Sequence, residues 1–214
     1  MSLRISFAGR RALALTGAVA ALALTACTPP GEPSSQPPGP GTPPPPREQN
    51  QTGSFEGTLQ APGGQGSAFT YNQAVAPEGA TVKATVEGSE QSSVVNFQVT
   101  GLLPNRGYAV HAHTNACGAT GDAAGPHFQN RQDPAASPQN PSSDPAYANP
   151  QNEIWLDLQT DARGAGSASA NVPFDITGDR TPKSIVVHEA SNTNTAAGQA
   201  GTAGARAACL NIQP

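Results

Sequence analysis

Two short segments, TVKATVE at residues 81–87 and SVVNFQVT at residues 93–100, decide the fold class of this chain of 214 residues. Both have apolar side chains at every second position: Val82, Ala84 and Val86, then Val95, Phe97 and Val99. Successive side chains of a β-strand point to opposite faces of the sheet, so this spacing gives each segment one apolar face. The pattern predicts two strands that each turn one face to a hydrophobic core.

Further segments of the same kind occur along the chain, separated by clusters of Gly, Pro, Asn and Ser. The predicted strands are Ser54–Leu59, Ala68–Gln73, Thr81–Glu87, Ser93–Thr100, Gly107–Thr114, Ile154–Thr160, Gly166–Phe174, Ser184–Glu189 and Ala205–Ile212. No segment has the apolar stripe of a helix, and the sequence has no internal repeat. We expect an all-β Greek-key sandwich or flattened barrel. Its two long loops, Asn115–Glu153 and Ala190–Gly204, are expected to carry function.

The amino-acid composition agrees with a β fold rich in turns. The chain has 23 glycines and 22 prolines, and only 12% of its residues are charged. Such a low charged fraction argues against a coiled coil and against a large α/β enzyme. The formal net charge is −4, so the chain lacks the basic surface that nucleic-acid binding requires.

Residues 1–26 have the features of a secretory signal: three arginines precede an apolar run at residues 12–24. This run is shorter than the about 20 residues that a membrane-spanning helix needs. It ends in LTAC at residues 24–27, which resembles the lipobox of bacterial lipoproteins. The resemblance implies cleavage before Cys27, a lipid on its thiol, and a mature protein anchored to the bacterial cell membrane outside the cytoplasm. The alternative is an ordinary signal peptide followed by a coincidental cysteine.

A proline-rich segment separates this signal from the predicted β domain. Ten of the 22 prolines lie within Thr28–Gln51, which has no aromatic or aliphatic residue. Such a segment cannot bury a core, and we expect a disordered spacer with polyproline II character. The predicted organisation is a lipoprotein signal peptide (1–26), a lipidated cysteine with its tether (27–52) and a β domain (53–214).

All four histidines of the chain fall in the predicted β domain. His111 and His113 are two residues apart near the end of a strand, so both side chains point to the same side. His127 lies in the first long loop, and His188 ends another strand. Imidazole binds copper, zinc, iron and nickel, and four nitrogens in a roughly planar array suit Cu(II). The alternative is that each histidine makes only a local hydrogen bond.

Four segments around these histidines resemble the copper–zinc superoxide dismutases. Residues 101–113 resemble the family's first copper-ligand strand, and residues 125–128 resemble the segment with its bridging histidine. Residues 185–189 resemble the strand with the fourth copper ligand, and residues 203–209 resemble the C-terminal segment. They follow one another in the family's order across residues 53–214. The resemblance implies the family's Greek-key β-barrel and the dismutation of superoxide to dioxygen and hydrogen peroxide.

The resemblance also assigns roles to single residues. It implies four copper ligands, His111, His113, His127 and His188, and a further role for His127 in carrying a proton. Arg206 would hold the superoxide anion beside the metal, because a guanidinium is always charged and offers several donors. The alternative for Arg206 is an ordinary surface position.

The same resemblance pairs Cys117 with Cys209. In the family this disulfide joins the first active-site loop to the last strand. Two cysteines remain after Cys27 is assigned to the lipid, and an oxidising compartment favours their pairing. The alternative is two free thiols.

The sequence departs from the family at the zinc site. Family members have two further histidines and an aspartate after the bridging histidine, whereas the residues between His127 and Ile154 here include no histidine and only three carboxylates, Asp133, Asp144 and Glu153. Asn192 stands where the family has an aspartate that supports both metals. We therefore predict a copper site without zinc. Glu153 is the expected partner of the second ring nitrogen of His127; the alternative for Glu153 is an exposed surface carboxylate.

Two functions fit these features best. The first is a copper-dependent superoxide dismutase, tethered to the membrane outside the cytoplasm, with superoxide as its substrate. The alternative is a lipoprotein that binds or buffers copper without significant turnover; a module that kept the fold and lost the metal is a third. Arg206 favours the enzyme, because copper storage does not need a guanidinium that binds anions. No pattern in the sequence indicates an oligomeric state.

Overall fold

The computed structural model of the protein describes residues 52–89, 91–137, 139–176 and 180–213. The predicted signal peptide, and the predicted tether apart from Thr52, lie outside these residues. The elements in chain order are β1 (Thr52–Thr58), β2 (Ala68–Thr70), β3 (Thr81–Gly88), β4 (Ser93–Thr100), β5 (Gly107–Tyr108), β6 (Val110–His113), a single 3-10 turn (Gly121–Ala124), β7 (Leu158–Gln159), β8 (Gly166–Val172), β9 (Ser184–His188) and β10 (Arg206–Asn211). The described part contains no helix with the length and apolar character needed to cross a bilayer.

The strands form two four-stranded antiparallel sheets. One has the order β1-β3-β4-β8 and the other the order β2-β10-β9-β6. The short strands β5 and β7 pair with each other. The all-β Greek-key prediction is therefore confirmed. The second sheet positions the site, because β6 and β9 are neighbours and three of the four histidines lie on them.

One hydrophobic core lies between the two sheets. Val82 and Phe97 come from β3 and β4, and they belong to the same buried cluster as Ile185 of β9 and Leu210 of β10. Along β4, side chains alternate between buried and more exposed positions, as the spacing of its apolar residues predicts. The alternation turns Val95, Phe97 and Val99 inward and leaves Gln98 exposed.

The predicted strand Gly107–Thr114 is wrong in one respect, because the structure divides it at Ala109 into β5 and β6. The chain changes its hydrogen-bonding partner there. β5 pairs with β7, whereas β6 pairs with β9. At the change, the backbone N–H of Val110 donates to the Asp157 carboxylate at 3.1 Å instead of to a strand carbonyl.

The predicted strand Ile154–Thr160 is also shorter in the structure, where only Leu158–Gln159 forms a strand. Its first half still runs beside β6: the N–H of Ala112 donates to the Ile154 carbonyl, and the N–H of Leu156 donates to the Val110 carbonyl. A single bridge, His111 with Trp155, is the only ladder contact there that the described residues show. This extended segment consequently lies directly against the strand that carries two histidines.

Candidate metal centre

The four histidines converge on one point at the end of the second sheet. His111 and His113 lie on β6, His188 ends β9, and His127 is held beside His113 by a backbone bridge. One nitrogen from each imidazole lies within 4.8 Å of the others. Among the described residues, no second group of three or more His, Cys, Asp or Glu has this property.

Three of these imidazoles are neutral because they are buried. Burial lowers the pKa of His111 and His113 well below the usual value, and neighbouring histidines lower both further. Burial, followed by the charge of His127, lowers the pKa of His188 to about 3. A neutral imidazole has one protonated nitrogen and one with a free lone pair. Each of the three can therefore offer a lone pair at neutral pH.

Backbone carbonyls decide which nitrogen carries the proton in His113 and His188. The Nδ1 of His113 lies 2.9 Å from the carbonyl oxygen of Gly125, and the Nδ1 of His188 lies 3.3 Å from that of Gly204. A carbonyl only accepts hydrogen bonds, so both Nδ1 atoms are the donors and both Nε2 atoms are unprotonated. The two Nε2 atoms are 3.2 Å apart. Two lone pairs at that distance repel each other, and a shared cation would relieve the repulsion.

His111 is oriented in the opposite sense. Its Nε2 lies 2.7 Å from the hydroxyl oxygen of Thr193. That hydroxyl donates to Asp157 at 2.7 Å, so it must accept the proton of His111 Nε2. The remaining nitrogen, Nδ1, is buried and has no hydrogen-bond partner in the described structure. A buried polar atom without a partner costs free energy, and here the atom belongs to the histidine cluster.

His127 is held by Glu153, as the sequence analysis proposed. Its Nδ1 lies 3.0 Å from Oε2 of Glu153. The interpretation of Glu153 as a surface carboxylate is wrong, since its side chain is only 2% exposed. The same carboxylate accepts hydrogen bonds from the indole N–H of Trp155 at 2.7 Å and from the amide of Gln129 at 2.8 Å.

Glu153, Trp155 and Asp157 share one face of the extended segment that runs beside β6. Ile154, Leu156 and Leu158 alternate with them and are buried in the core. The polar face therefore lies under the histidines: Glu153 bonds His127, the Trp155 ring meets the His111 ring edge-on at a centroid distance of 5.7 Å, and Asp157 reaches His111 through Thr193. Sequence reasoning missed Trp155, Asp157 and Thr193. The alternation in EIWLDL at residues 153–158 was the available signal for the first two.

The cluster fits a metal ion on its donor chemistry. Each of the three buried imidazoles has a free lone pair: the Nδ1 of His111 and the Nε2 of His113 and His188. Four imidazole nitrogens without a thiolate or a carboxylate suit copper well and are also acceptable to zinc. Every ring nitrogen on the far side is hydrogen-bonded, as is usual for histidines that bind metals.

Asp133 and Asp144, the two carboxylates between His127 and Glu153, are engaged in hydrogen bonds within the loop. Asp133 accepts hydrogen bonds from Ser142 and from the N–H of Ala135, and Asp144 accepts one from the N–H of Ala146. Asn192, where the family has an aspartate, donates to the carbonyl of Thr193. None of these groups is within the histidine cluster.

Arg206 begins β10 beside the histidines. Its guanidinium donates to the carbonyl of Gly121 at 2.8 Å. Burial lowers the pKa of Arg206 and Asp122 raises it, and an arginine so placed keeps its charge in a protein. Arg206, His127 and His188 line one cavity of about 620 Å³. The cavity therefore gives an anion access to the histidines past a positive charge.

A disulfide joins Cys117 to Cys209 across 92 residues of sequence. It connects the loop that follows β6 with β10, the strand that Arg206 begins. The loop so attached contains Gly121, whose carbonyl oxygen holds Arg206. The covalent link and the guanidinium therefore fix the same stretch of loop.

Residues 79–212 match the sequence model of the family described as copper/zinc superoxide dismutase. The chain belongs to that family. Among solved structures, this chain is similar to the Cu/Zn superoxide dismutase from Brucella abortus, with 19% sequence identity and a TM-score of 0.43. The alignment covers 77% of this chain and 100% of that one. No curated protein sequence matches the chain.

The buried histidines predict that the metal-free protein loses stability in acid. In the unfolded chain His188 binds a proton below its usual pKa of 6.5, whereas in the folded protein it binds one only near pH 3, because burial lowers its pKa to about 3. Stability is thus complete above pH 6.5 and falls as the pH falls, by up to about 1.4 kcal/mol per pH unit for each buried histidine. Urea unfolding of the metal-free protein at a series of pH values measures this. The variant His188→Gln should have a shallower pH dependence; an unchanged slope would contradict the assignment.

Proposed function

We propose that this protein is a copper-dependent superoxide dismutase that acts outside the cytoplasm. The observation that carries the proposal is the set of imidazole lone pairs that converge beside Arg206 and its cavity. Membership of the copper/zinc superoxide dismutase family supports the same activity. The reaction converts two superoxide anions and two protons into dioxygen and hydrogen peroxide.

His111, His113, His127 and His188 would hold the metal. Copper bound there would supply one-electron cycling between Cu(II) and Cu(I), which imidazole ligands tolerate. The work of the surrounding residues is to keep each lone pair directed at one point. The carbonyl oxygens of Gly125 and Gly204 do this for two of the imidazoles, and Thr193 does it for a third.

Arg206 would bind the substrate anion. The domain from residue 53 onward has seven basic and 13 acidic residues, so its overall charge repels superoxide. A fixed positive charge in a cavity concentrates an anion locally in spite of that repulsion. Its hydrogen bond to Gly121 holds the guanidinium at the cavity wall that it shares with His127 and His188.

His127 is the residue best placed to carry a proton. It is the one member of the cluster that is not fully buried, with 18% of its side chain exposed, and it lines the cavity. Protons from solvent can reach it there, whereas the other three imidazoles are almost fully buried and only His188 among them also borders the cavity. Glu153 holds the ring at Nδ1 and so leaves Nε2 facing the other histidines.

We further propose that the site works with copper alone. The Nδ1 of His127 occupies the place of the ring nitrogen that binds zinc in the family, and here it is hydrogen-bonded to Glu153. Both oxygens of that carboxylate are already hydrogen-bonded. The loop carboxylates that remain are too scattered and too locally engaged to form a four-ligand zinc site.

Metal content and turnover, measured on one sample, test this function. After copper loading and dialysis, the domain from Gly53 to Pro214 should retain one copper and negligible zinc, and pulse radiolysis should record rapid loss of superoxide. His188→Ala should lose both copper and turnover, because one lone pair is removed. One tightly bound copper without turnover would exclude the enzyme and support a copper-buffering protein. Stoichiometric zinc would contradict the copper-only site.

Replacing Arg206 tests how the anion is bound. Arg206→Ala should lower the second-order rate with superoxide about 10- to 100-fold, the value of one hydrogen bond to a charged group, while copper content stays unchanged. Arg206→Lys should recover part of the rate, because it restores the charge. Arg163→Ala removes an exposed arginine and is the matched control. Equal rates in Arg206→Ala and the control would exclude Arg206 from the site.

Membrane attachment is proposed to depend on Cys27. The LTAC sequence at residues 24–27 and the apolar run before it support lipidation, and a disulfide is consistent with an oxidising compartment. The variant Cys27→Ser should move the protein from the membrane fraction to the soluble fraction of bacterial cells expressing the full chain. Metabolic labelling with a fatty acid should mark the wild-type protein and not the variant. Labelling of both would place the lipid elsewhere.

A further inference from the structure

The Glu153 carboxylate is contacted by three side-chain nitrogen atoms, two from the first long loop and one from its own segment. Oε2 contacts Nδ1 of His127 at 3.0 Å and the indole nitrogen of Trp155 at 2.7 Å. Oε1 contacts the side-chain nitrogen of Gln129 at 2.8 Å. Glu153 is 2% exposed and Gln129 is 9% exposed, so water competes little for these hydrogen bonds.

The direction of two of these hydrogen bonds is fixed. An indole N–H can only donate, so Trp155 donates to Glu153. The Gln129 amide is also oriented, because its oxygen accepts a hydrogen bond from the backbone N–H of Asp133 at 3.1 Å, which leaves its nitrogen facing Glu153. Both oxygens of Glu153 are therefore acceptors from partners other than His127.

This arrangement decides the proton position in His127. With Trp155 and Gln129 each donating to one of its oxygens, the Glu153 carboxylate acts as an acceptor, so its hydrogen bond with His127 has the proton on Nδ1 of the imidazole. The other nitrogen of His127, Nε2, is then unprotonated. We propose that Trp155 and Gln129 are positioning residues that, through Glu153, select the His127 tautomer able to bind a metal. The proposal rests on the proposed role of His127 as a metal ligand. In it, two hydrogen-bond donors orient the His127 ring, as zinc would in other members of the family.

Both donors are themselves held in place. The Trp155 ring packs edge-on against His111, so this side chain contacts both a histidine of the cluster and the carboxylate that holds His127. The backbone carbonyl of Gln129 accepts a hydrogen bond from Arg180 at 2.8 Å, while its side-chain amide is fixed at both ends. A donor fixed from several directions loses little additional side-chain entropy when it orients the carboxylate.

Two near-isosteric variants remove the donors separately. Trp155→Phe keeps an aromatic ring against His111 and removes the N–H, and Gln129→Met keeps the length of the side chain and removes the amide. Gln98→Met makes the same exchange at an exposed position of β4 and is the matched control. The first measurement is a two-bond proton–nitrogen correlation spectrum of the histidine rings in the metal-free protein. The second is the affinity for copper, by competition with a chelator.

In the wild-type protein and in Gln98→Met, we expect His127 as a single tautomer with its proton on Nδ1. In Trp155→Phe and Gln129→Met, we expect averaged ring-nitrogen shifts, because both tautomers become populated, and a copper affinity about ten-fold weaker. In a Glu153→Gln background, Trp155→Phe should cause no further loss of affinity, because its effect passes through that carboxylate.

An unchanged tautomer in both variants would overturn the proposal, even if their thermal stability fell, since a purely structural role predicts that outcome. A further loss of affinity from Trp155→Phe in the Glu153→Gln background would overturn it too. The ring spectrum needs no metal and no turnover. A protein that orients His127 as expected but does not dismutate superoxide would therefore refute the proposed function and leave this inference standing.

Discussion

The metal site depends on four imidazoles that are brought together at one point, three of them with a free lone pair directed towards the others. Close lone pairs repel, and burial without a partner costs additional free energy. Hydrogen bonds offset part of this cost, because every ring nitrogen on the far side has a partner: two carbonyl oxygens, one threonine hydroxyl and one carboxylate. The sheets, loops and disulfide bring those acceptors to their places.

The sequence predicts the strands well where side chains alternate against a single core, as in β3 and β4. It fails at Ala109 because the change of strand partner depends on the Asp157 carboxylate, which lies 47 residues from Val110. Glu153 could be predicted because it occupies the point where the first loop returns to the sheet. Thr193 could not be predicted, since its contact with His111 spans 82 residues and involves a common residue type. The identity of the donor nitrogen depends on backbone carbonyls, which no side-chain pattern reveals.

The cavity side of the site combines fixed and accessible parts. Arg206 is held by the carbonyl of Gly121, and the loop that contains Gly121 is joined by the disulfide to the strand that Arg206 begins. His127 is the accessible imidazole, yet its far nitrogen is bonded to a buried carboxylate. His127, which is proposed to exchange protons with solvent, is thus held by a hydrogen bond from the interior. Arg206, which is proposed to attract the anion, is held by a hydrogen bond from the loop.

The alternation of residues 153–158 has a consequence for how the chain can change length. Within this segment, the odd positions support the metal centre and the even positions fill the core. Because strand side chains have a period of two, inserting or deleting one residue would exchange the faces, so that carboxylates would enter the core and leucine would meet the histidines. The loop before the segment is not a strand, so its side chains do not alternate between two faces in this way. Changes of length can therefore accumulate between Asp133 and Asn152, away from the residues of the loop that build the site, but not within residues 153–158.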